Sequence, residues 1–558
     1  MNVRPPPQTL PGARATISLV NDQTTGVAAP ALPGPAEANA ARRSLLRWLF
    51  IAGLLLYLVT TGTNFSSGDS AAELRVAQSL AEHGWVDVPQ QKHQLCGGWG
   101  CQGTDGRFYA THAIGYSLFL LPFYAGAQGI VRLLHSPNCA DGVKEGCVPV
   151  QLISWTGCAL TATTVALLCL LVLELGYTAR RALLVALLYG FATLAWPYAR
   201  YGFDVTLTAL LLLGAYRETL HALGALPTLA SPSPCALPSS QYHIAAPGWL
   251  SPERRWLRAG GLAALALLVR LPAAAAVLPL GSCVLWAALR PGPARTPRPL
   301  AAFGLPLLGA LAFTCWYNLA RFGSASPFAD GHATNSADGL ATFPLYSFAA
   351  LLVSPGEGLL WYSPVLLLLF PCIPAFRRAH PTACILALAI AGFELLPYLP
   401  VRDWVGGYSW GPRFLVQSLP LLALPLTALP DVARTARARL LVAAIVALSA
   451  LIGLAGLLVS YHDRLRLTWG GALPDALQVW DPARSPIIDH LRTLWVYITH
   501  PGRVTRIPDR GDSFDLWWLT LWRTNGTPPG LTIAIAAALA LLALLAAVRT
   551  WRAAQRLP

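Results

Sequence analysis

Charge is what this sequence has least of. Only 12% of its 558 residues are Asp, Glu, Lys or Arg, where a soluble protein carries roughly a quarter. That deficit, with 55% hydrophobic residues and a mean hydropathy of +0.50, excludes an ordinary soluble domain and predicts a polytopic, all-α membrane protein. No apolar run precedes Leu45, so no cleavable signal peptide is expected to open the chain. Internal repeats are also lacking, which speaks against the inverted-repeat architecture of many transporters. The net charge of +14 reads as orientation in a bilayer rather than nucleic-acid binding.

Apolar runs of membrane length fall at 45–63, 150–174, 182–199, 204–222, 258–271, 273–289, 300–319, 361–376, 382–399, 413–429, 438–460 and 531–549. Pro272 separates the two short ones. With about twelve spans, most basic clusters fall on one side. These include Arg180 and Arg181, Arg254 to Arg258, Arg290 to Arg298, Arg377 and Arg378, Arg434 to Arg439, and Arg549 with Arg552. The positive-inside rule then places both termini in the cytoplasm. Segments 64–149, 320–360 and 461–530 lie outside. Within them, 70–83, 112–134 and 343–353 read as interfacial helices. The implied organisation is a disordered cytoplasmic tail (1–43), a main transmembrane region (44–430), and C-terminal spans with an outer loop (431–558).

The first outer loop holds Cys96, Cys101, Cys139 and Cys147. An even number in an oxidising compartment suggests two disulfides, most simply 96–101 and 139–147. A zinc site using His93 with Cys96 and Cys101 is the rival, but the spacing matches no strong zinc pattern.

Ionisable residues gather at the outer ends of the spans, where they are costly. Asp69, in SSGDSAAELRVAQSLAEHG, follows the first span with Glu73 one turn on. It either caps the helix starting at Ser70 or takes part in chemistry. His112 opens the second interfacial helix. Arg200 and Asp204 share the next outer turn, Arg270 ends the fifth span, and Arg321 follows the seventh. Glu357 precedes the eighth, and Glu394, Arg402, Asp403 and Arg413 cluster later. Alone, each arginine reads equally well as an interface anchor, Asp204 as a cap, and Glu357 as a solvated turn. Together they offer cations for a phosphate and carboxylates for proton transfer.

The order of motifs carries a resemblance. DGRFYATHAIGYSLFLLP, WPYARYGFD, LLVRLP, NLARFGS, SPGEGLLWYSP and GGYSWGPRFL follow an outer-face acid. The set, from about residue 45 to about 430, resembles bacterial polytopic GT-C glycosyltransferases that use polyprenyl-phosphate sugars, such as protein O-mannosyltransferases and aminoarabinose transferases. The resemblance implies a GT-C-like helical bundle in the cytoplasmic (inner) membrane with its site on the outer face. It implies inverting transfer of a sugar from a polyprenyl-phosphate donor to a glycan, lipid or protein acceptor. Asp69 and Asp204 take the catalytic positions. Glu73, His112, Arg200, Arg270, Glu357, Tyr408 and Arg413 are the substrate-binding candidates, with Trp361 and Trp410 as further stacking aromatics. Many members carry two adjacent acids after the first span. Here Ser70 follows Asp69, so a possible divalent cation stays open. The alternatives are a transporter or flippase for a lipid-linked or acidic substrate, and a non-catalytic envelope-assembly protein.

Overall fold

The computed structural model describes residues 35–62, 68–88, 96–97, 100–133, 148–200, 202–226, 251–290, 297–328, 344–401, 404–461, 478–500, 516–519 and 528–557. Helices α1 (Pro35–Thr60) and α2 (Gly68–His83) lead into strands β1 (Cys96–Gly97), β2 (Gly100–Gln102) and β3 (Phe108–Ala110). Then follow α3 (Ile114–Leu133), α4 (Val148–Glu174), α5 (Ala179–Ala192), α6 (Ala195–Ala199), α7 (Asp204–Ala222), α8 (Pro252–Val269), α9 (Val277–Leu289) and α10 (Arg298–Phe322). After these come α11 (Pro344–Val353), α12 (Leu359–Tyr362), α13 (Leu369–Ala379), α14 (Pro381–Leu395), α15 (Leu419–Leu422), α16 (Leu429–Val432) and α17 (Ala436–Leu458). Helices α18 (Pro486–Thr499) and α19 (Pro529–Gln555) complete the chain, with several short 3-10 turns between elements.

The chain is an all-α, multi-pass membrane protein. Nine helical segments among the described residues are long and apolar enough to cross a bilayer. Eight match expected runs. The ninth, Ile114–Leu133, was expected along the surface from charge. It is a continuous helix of spanning length because Pro122 lies inside it without breaking it. The runs at 182–199, 204–222, 258–271 and 361–376 do not meet that standard. The first divides into α5 and α6, and the last into α12, a 3-10 turn (Pro364–Leu368) and α13. Helix α7 carries Asp204, Arg217 and Glu218 within its 19 residues. The count of about twelve is thus not reproduced. Helix α1 starts at Pro35, ahead of the boundary drawn at 43; residues 1–34 lie outside the described set.

The first loop also holds a small sheet between α2 and α3. Its three-stranded antiparallel sheet places Cys96 opposite Cys101, and Cys101 is disulfide-bonded. Cys139 and Cys147 lie outside the described residues. Arg321 of α10 fastens this sheet to the bundle: its Nη1 donates to Ala110 O at 2.6 Å, and Thr104 N donates to Arg321 O at 3.1 Å.

At the far end of α7 from Asp204, Glu174 accepts from Arg217 Nε and Nη2 at 2.7 and 2.6 Å. It also meets Arg42 at 3.2 Å and His221 at 3.3 Å. This network ties α1, α4 and α7 together, and leaves the other end of α7 to form one wall of a cavity.

Candidate active site

Four breaks in regular structure bring the site together. Helix α2 starts at Gly68, so Asp69 lies in its first turn rather than outside it as a cap. Asp204 opens α7, where a negative charge is favoured by the helix dipole; the residue before it makes no side-chain cap. Helix α8 ends at Val269, and Arg270 is extended at φ −152° and ψ 110°. Pro272, two residues on, lacks an N–H and cannot continue the ladder, so the chain restarts as a 3-10 helix at Leu271. Arg413 begins another 3-10 helix after Pro412.

These turns line one cavity of about 610 Å³. Asp69, Glu73, His112, Asp204, Arg270 and Arg413 face it, and its remaining wall includes Leu268, Val269, Tyr317, Asn318, Tyr398 and Phe414. Arg413 Nη1 lies 2.5 Å from Asp69 Oδ2, and His112 Nε2 lies 3.4 Å from Asp69 Oδ1. Arg270 Nη1 donates to Asp204 Oδ1 and Oδ2 at 2.9 and 2.7 Å. Its Nε donates to the Tyr398 hydroxyl at 3.0 Å. Phe414 stacks on Tyr398 with centroids 4.2 Å apart, and both guanidiniums stand 5.0 Å from the Phe414 ring. One aromatic pair therefore spaces two cations, each held by a carboxylate.

Gly406 makes room for this arrangement. Its φ is +78°, and a Cβ there would fall 2.9 Å from Arg413 Nε. Glycine supplies both the left-handed turn and the close approach.

Asp69 and Glu73, both on α2, titrate in opposite directions. Burial alone would push Asp69 up, but the Arg413 guanidinium and His112 outweigh it and hold the carboxyl well below its ordinary range. Glu73 is 2% exposed. Burial first, then the charges of Asp204 and Asp69, push it well above its ordinary value, with Arg270 and Arg413 opposing. The surroundings thus favour the charged form of Asp69 and the neutral form of Glu73.

A hard divalent cation needs several carboxylate oxygens turned to a common point. Both oxygens of Asp204 accept from Arg270 instead, and those of Asp69 face Arg413 and His112. Among the described residues no group of three or more His, Cys, Asp or Glu is placed to hold a metal ion. The donor set does not fit a hard divalent cation.

Of the expected site residues, the cavity brings together Asp69, Glu73, His112, Asp204, Arg270 and Arg413. It does not include Arg200, Glu357 or Tyr408. Arg200 is 1% exposed and its Nη1 donates to the Leu457 carbonyl. Glu357 is fully buried, with its backbone N–H donating to Ser354 Oγ at 3.1 Å. Trp410 is buried against His490, ring to ring at 4.3 Å, and Trp361 Nε1 donates to Val353 O at 2.9 Å; neither lines the cavity. Arg402 and Asp403 lie outside the described residues. Conversely, the cavity includes Thr111, Asn318, Tyr398 and Phe414, which the sequence reading did not single out. Phe414 sat inside a quoted motif; nothing local marked Tyr398, whose role follows from reaching Arg270 across 128 residues.

No protein-family model matches the chain, and no curated protein sequence matches it. Several solved structures are similar to it. ArnT from Cupriavidus metallidurans bound to undecaprenyl phosphate is 14% identical, with 90% of this chain and 77% of that chain covered and a TM-score of 0.46. The Archaeoglobus fulgidus oligosaccharyltransferase in its apo form is 14% identical, with 80% and 60% covered and a TM-score of 0.41. AglB from the same organism, in complex with an inhibitory peptide and a dolichol-phosphate, is 13% identical, with 81% and 61% covered and a TM-score of 0.42. The chain thus spans about 60% of the oligosaccharyltransferase. These neighbours are GT-C membrane glycosyltransferases, the class that the motif order resembles.

Proposed function

We propose that this cavity is the active site of an integral-membrane glycosyltransferase. It moves a sugar from a polyprenyl-phosphate donor to an acceptor hydroxyl, with inversion, at the outer face of the cytoplasmic membrane. The observation that carries the reading is the double carboxylate–guanidinium constellation, Asp69–Arg413 and Asp204–Arg270, drawn from four separate segments into one partly apolar cavity. A lipid phosphate needs cations beside an apolar surface, and sugar transfer needs a carboxylate on the acceptor side of the anomeric carbon.

The acceptor hydroxyl attacks the anomeric carbon from the face opposite the phosphate. Its proton passes to a carboxylate of the site, the new C–O bond forms, and the bond to the phosphate oxygen breaks with its electron pair leaving on the phosphate. Arg270 meets the charge that builds there, with Tyr398 and Asp204 fixing its orientation. Asp69 is the base. While paired with Arg413 it is too acidic to accept a proton readily. A donor phosphate competes for the Arg413 guanidinium, and loosening that pair raises the basicity of Asp69. The base is thereby armed only when the donor is seated.

Transfer from a panel of labelled polyprenyl-phosphate sugars tests the reading, with wild type compared to Asp69→Asn and Arg270→Ala. Turnover by wild type and its loss in Asp69→Asn are expected. Absence of turnover with every donor, together with substrate flux into liposomes, overturns the transferase in favour of a transporter.

A further inference from the structure

A second cavity, of about 790 Å³, lies outside the site as a groove between α7, α8 and α10. Its long floor is made of small residues, Gly261 and Ala264 from α8 and Gly309 and Ala310 from α10. A Cβ at Gly261 or Gly309 would meet nothing within 4 Å, so these glycines keep a channel open rather than pack against a neighbour. Leu265, Leu305 and Leu308 are more than half exposed beside it. From Arg258 to Leu268 the helix rises roughly 15 Å, about half the hydrocarbon thickness of a bilayer.

One end of the groove is polar, and its polar groups come as a pair of opposite charges. Arg258 is exposed there. Glu218 lines the same end with its side chain only 8% exposed. Its Oε1 accepts from Arg217 Nη1 at 2.8 Å, while its buried Oε2 accepts no hydrogen bond. Arg255 Nη1 forms an ion pair with Oε2 at 3.8 Å, beyond hydrogen-bond range. A buried carboxylate oxygen without a hydrogen-bond donor is costly, and Glu218 is the carboxylate that lines this groove.

We propose that the groove binds an aminophospholipid from the leaflet facing the Arg254–Arg258 cluster. The acyl chain lies along the small-residue floor, the phosphate sits at Arg258, and the primary ammonium donates to Glu218 Oε2. The head group matches the site in both charge and order, a cation for the phosphate and a deep acceptor for the amine. A choline head has no N–H to donate, and a glycerol head has no cation, so the site selects the ethanolamine head group.

The test is native mass spectrometry of the full-length protein exchanged into vesicles of phosphatidylethanolamine, phosphatidylcholine or phosphatidylglycerol. One retained phosphatidylethanolamine is expected, favoured about tenfold over either other lipid, as one charge-assisted hydrogen bond supplies. Glu218→Gln brings that preference close to parity, and Arg258→Ala weakens all three phospholipids alike. Gly309→Leu fills the channel and removes the bound lipid. Its side chain enters open space, so the fold is retained and this variant decides the matter if Glu218→Gln does not fold. Equal retention of the ethanolamine and choline lipids by wild type overturns the proposal, as does a preference that survives Glu218→Gln. So does displacement of the lipid by undecaprenyl phosphate, because Leu268 and Phe313 line both cavities and the groove would then belong to that ligand's tail.

Discussion

Arg413 Nη1 lies 2.5 Å from Asp69 Oδ2, although 344 positions separate the two residues (413 − 69). The contact joins the first turn of α2 to the start of a 3-10 helix late in the chain. It holds the Asp69 carboxyl well below its ordinary range.

Asp69→Asn keeps the shape of the side chain and removes its charge and proton affinity. Turnover should fall about 10²–10⁴-fold, the span typical of a lost general base, while binding of the lipid phosphate changes far less because Arg270 and Arg413 remain. Single-turnover rates measured beside equilibrium binding of undecaprenyl phosphate separate the two effects. Equal losses in both would remove Asp69 from the chemical step.

The Asp204–Arg270 pair is largely buried, at 14% and 12% side-chain exposure. Removing one partner leaves a charge without its counter-charge, at a cost of about 3 kcal/mol or more. Asp204→Asn and Arg270→Met should each lower the thermal midpoint strongly, and the double variant should lower it little beyond either single one. Simple additivity in this cycle would mean that the pair is not coupled.

Glu73 makes folding stability pH-dependent in a stated direction. Its carboxyl is raised well above the ordinary 4.5 in the folded protein, so the folded state binds more protons than the unfolded state above that pH. Its stabilising contribution is complete below pH 4.5 and declines as pH rises towards the folded value. Asp69, held low, behaves oppositely: its contribution is present above the ordinary 3.8 and is lost only on acidification. Glu73→Gln should flatten the fall in thermal midpoint as pH rises above 4.5. A slope identical to that of wild type refutes the assignment.

Gly406→Ala adds one methyl group beside Arg413. The residue would have to hold φ +78° with its Cβ 2.9 Å from Arg413 Nε. Strain of about 1 kcal/mol or more is expected, along with displacement of the guanidinium from Asp69. The apparent pKa governing turnover should therefore move up as the carboxyl is released. A pH–rate profile that keeps its acid limb unchanged would show that Arg413 has stayed in place.

Arg200→Met separates a buried arginine from one in the site. Arg200 donates to the Leu457 carbonyl inside the bundle and is absent from the cavity wall. Thermal stability should drop by about 1–3 kcal/mol as the carbonyl loses its donor, with donor KM unchanged in the folded fraction. A selective rise in KM would return Arg200 to the phosphate.

Much of this protein was legible in the sequence because a bilayer imposes its demands locally. A span needs about twenty apolar residues wherever the chain later packs, so most spanning helices could be read directly. Ionisable residues are expensive beside those spans, so Asp69, Glu73, His112, Asp204, Arg270 and Arg413 stood out before any fold was known. Helix α3 was legible as a helix over 112–134; charge placement set it along the surface, whereas its length and composition are those of a span.

The sequence by itself determined the class of protein and the candidate charges, for both follow from composition and local pattern. Only the tertiary structure decided which charges meet. On paper the arginine set beside Asp204 is Arg200, which shares its outer turn. The break at Arg270 turns its guanidinium to Asp204 and Tyr398, while Arg200 turns to Leu457. Coulomb attraction falls with distance and rises with burial, and both are properties of the packed molecule. For the same reason two acids four residues apart, Asp69 and Glu73, titrate in opposite directions.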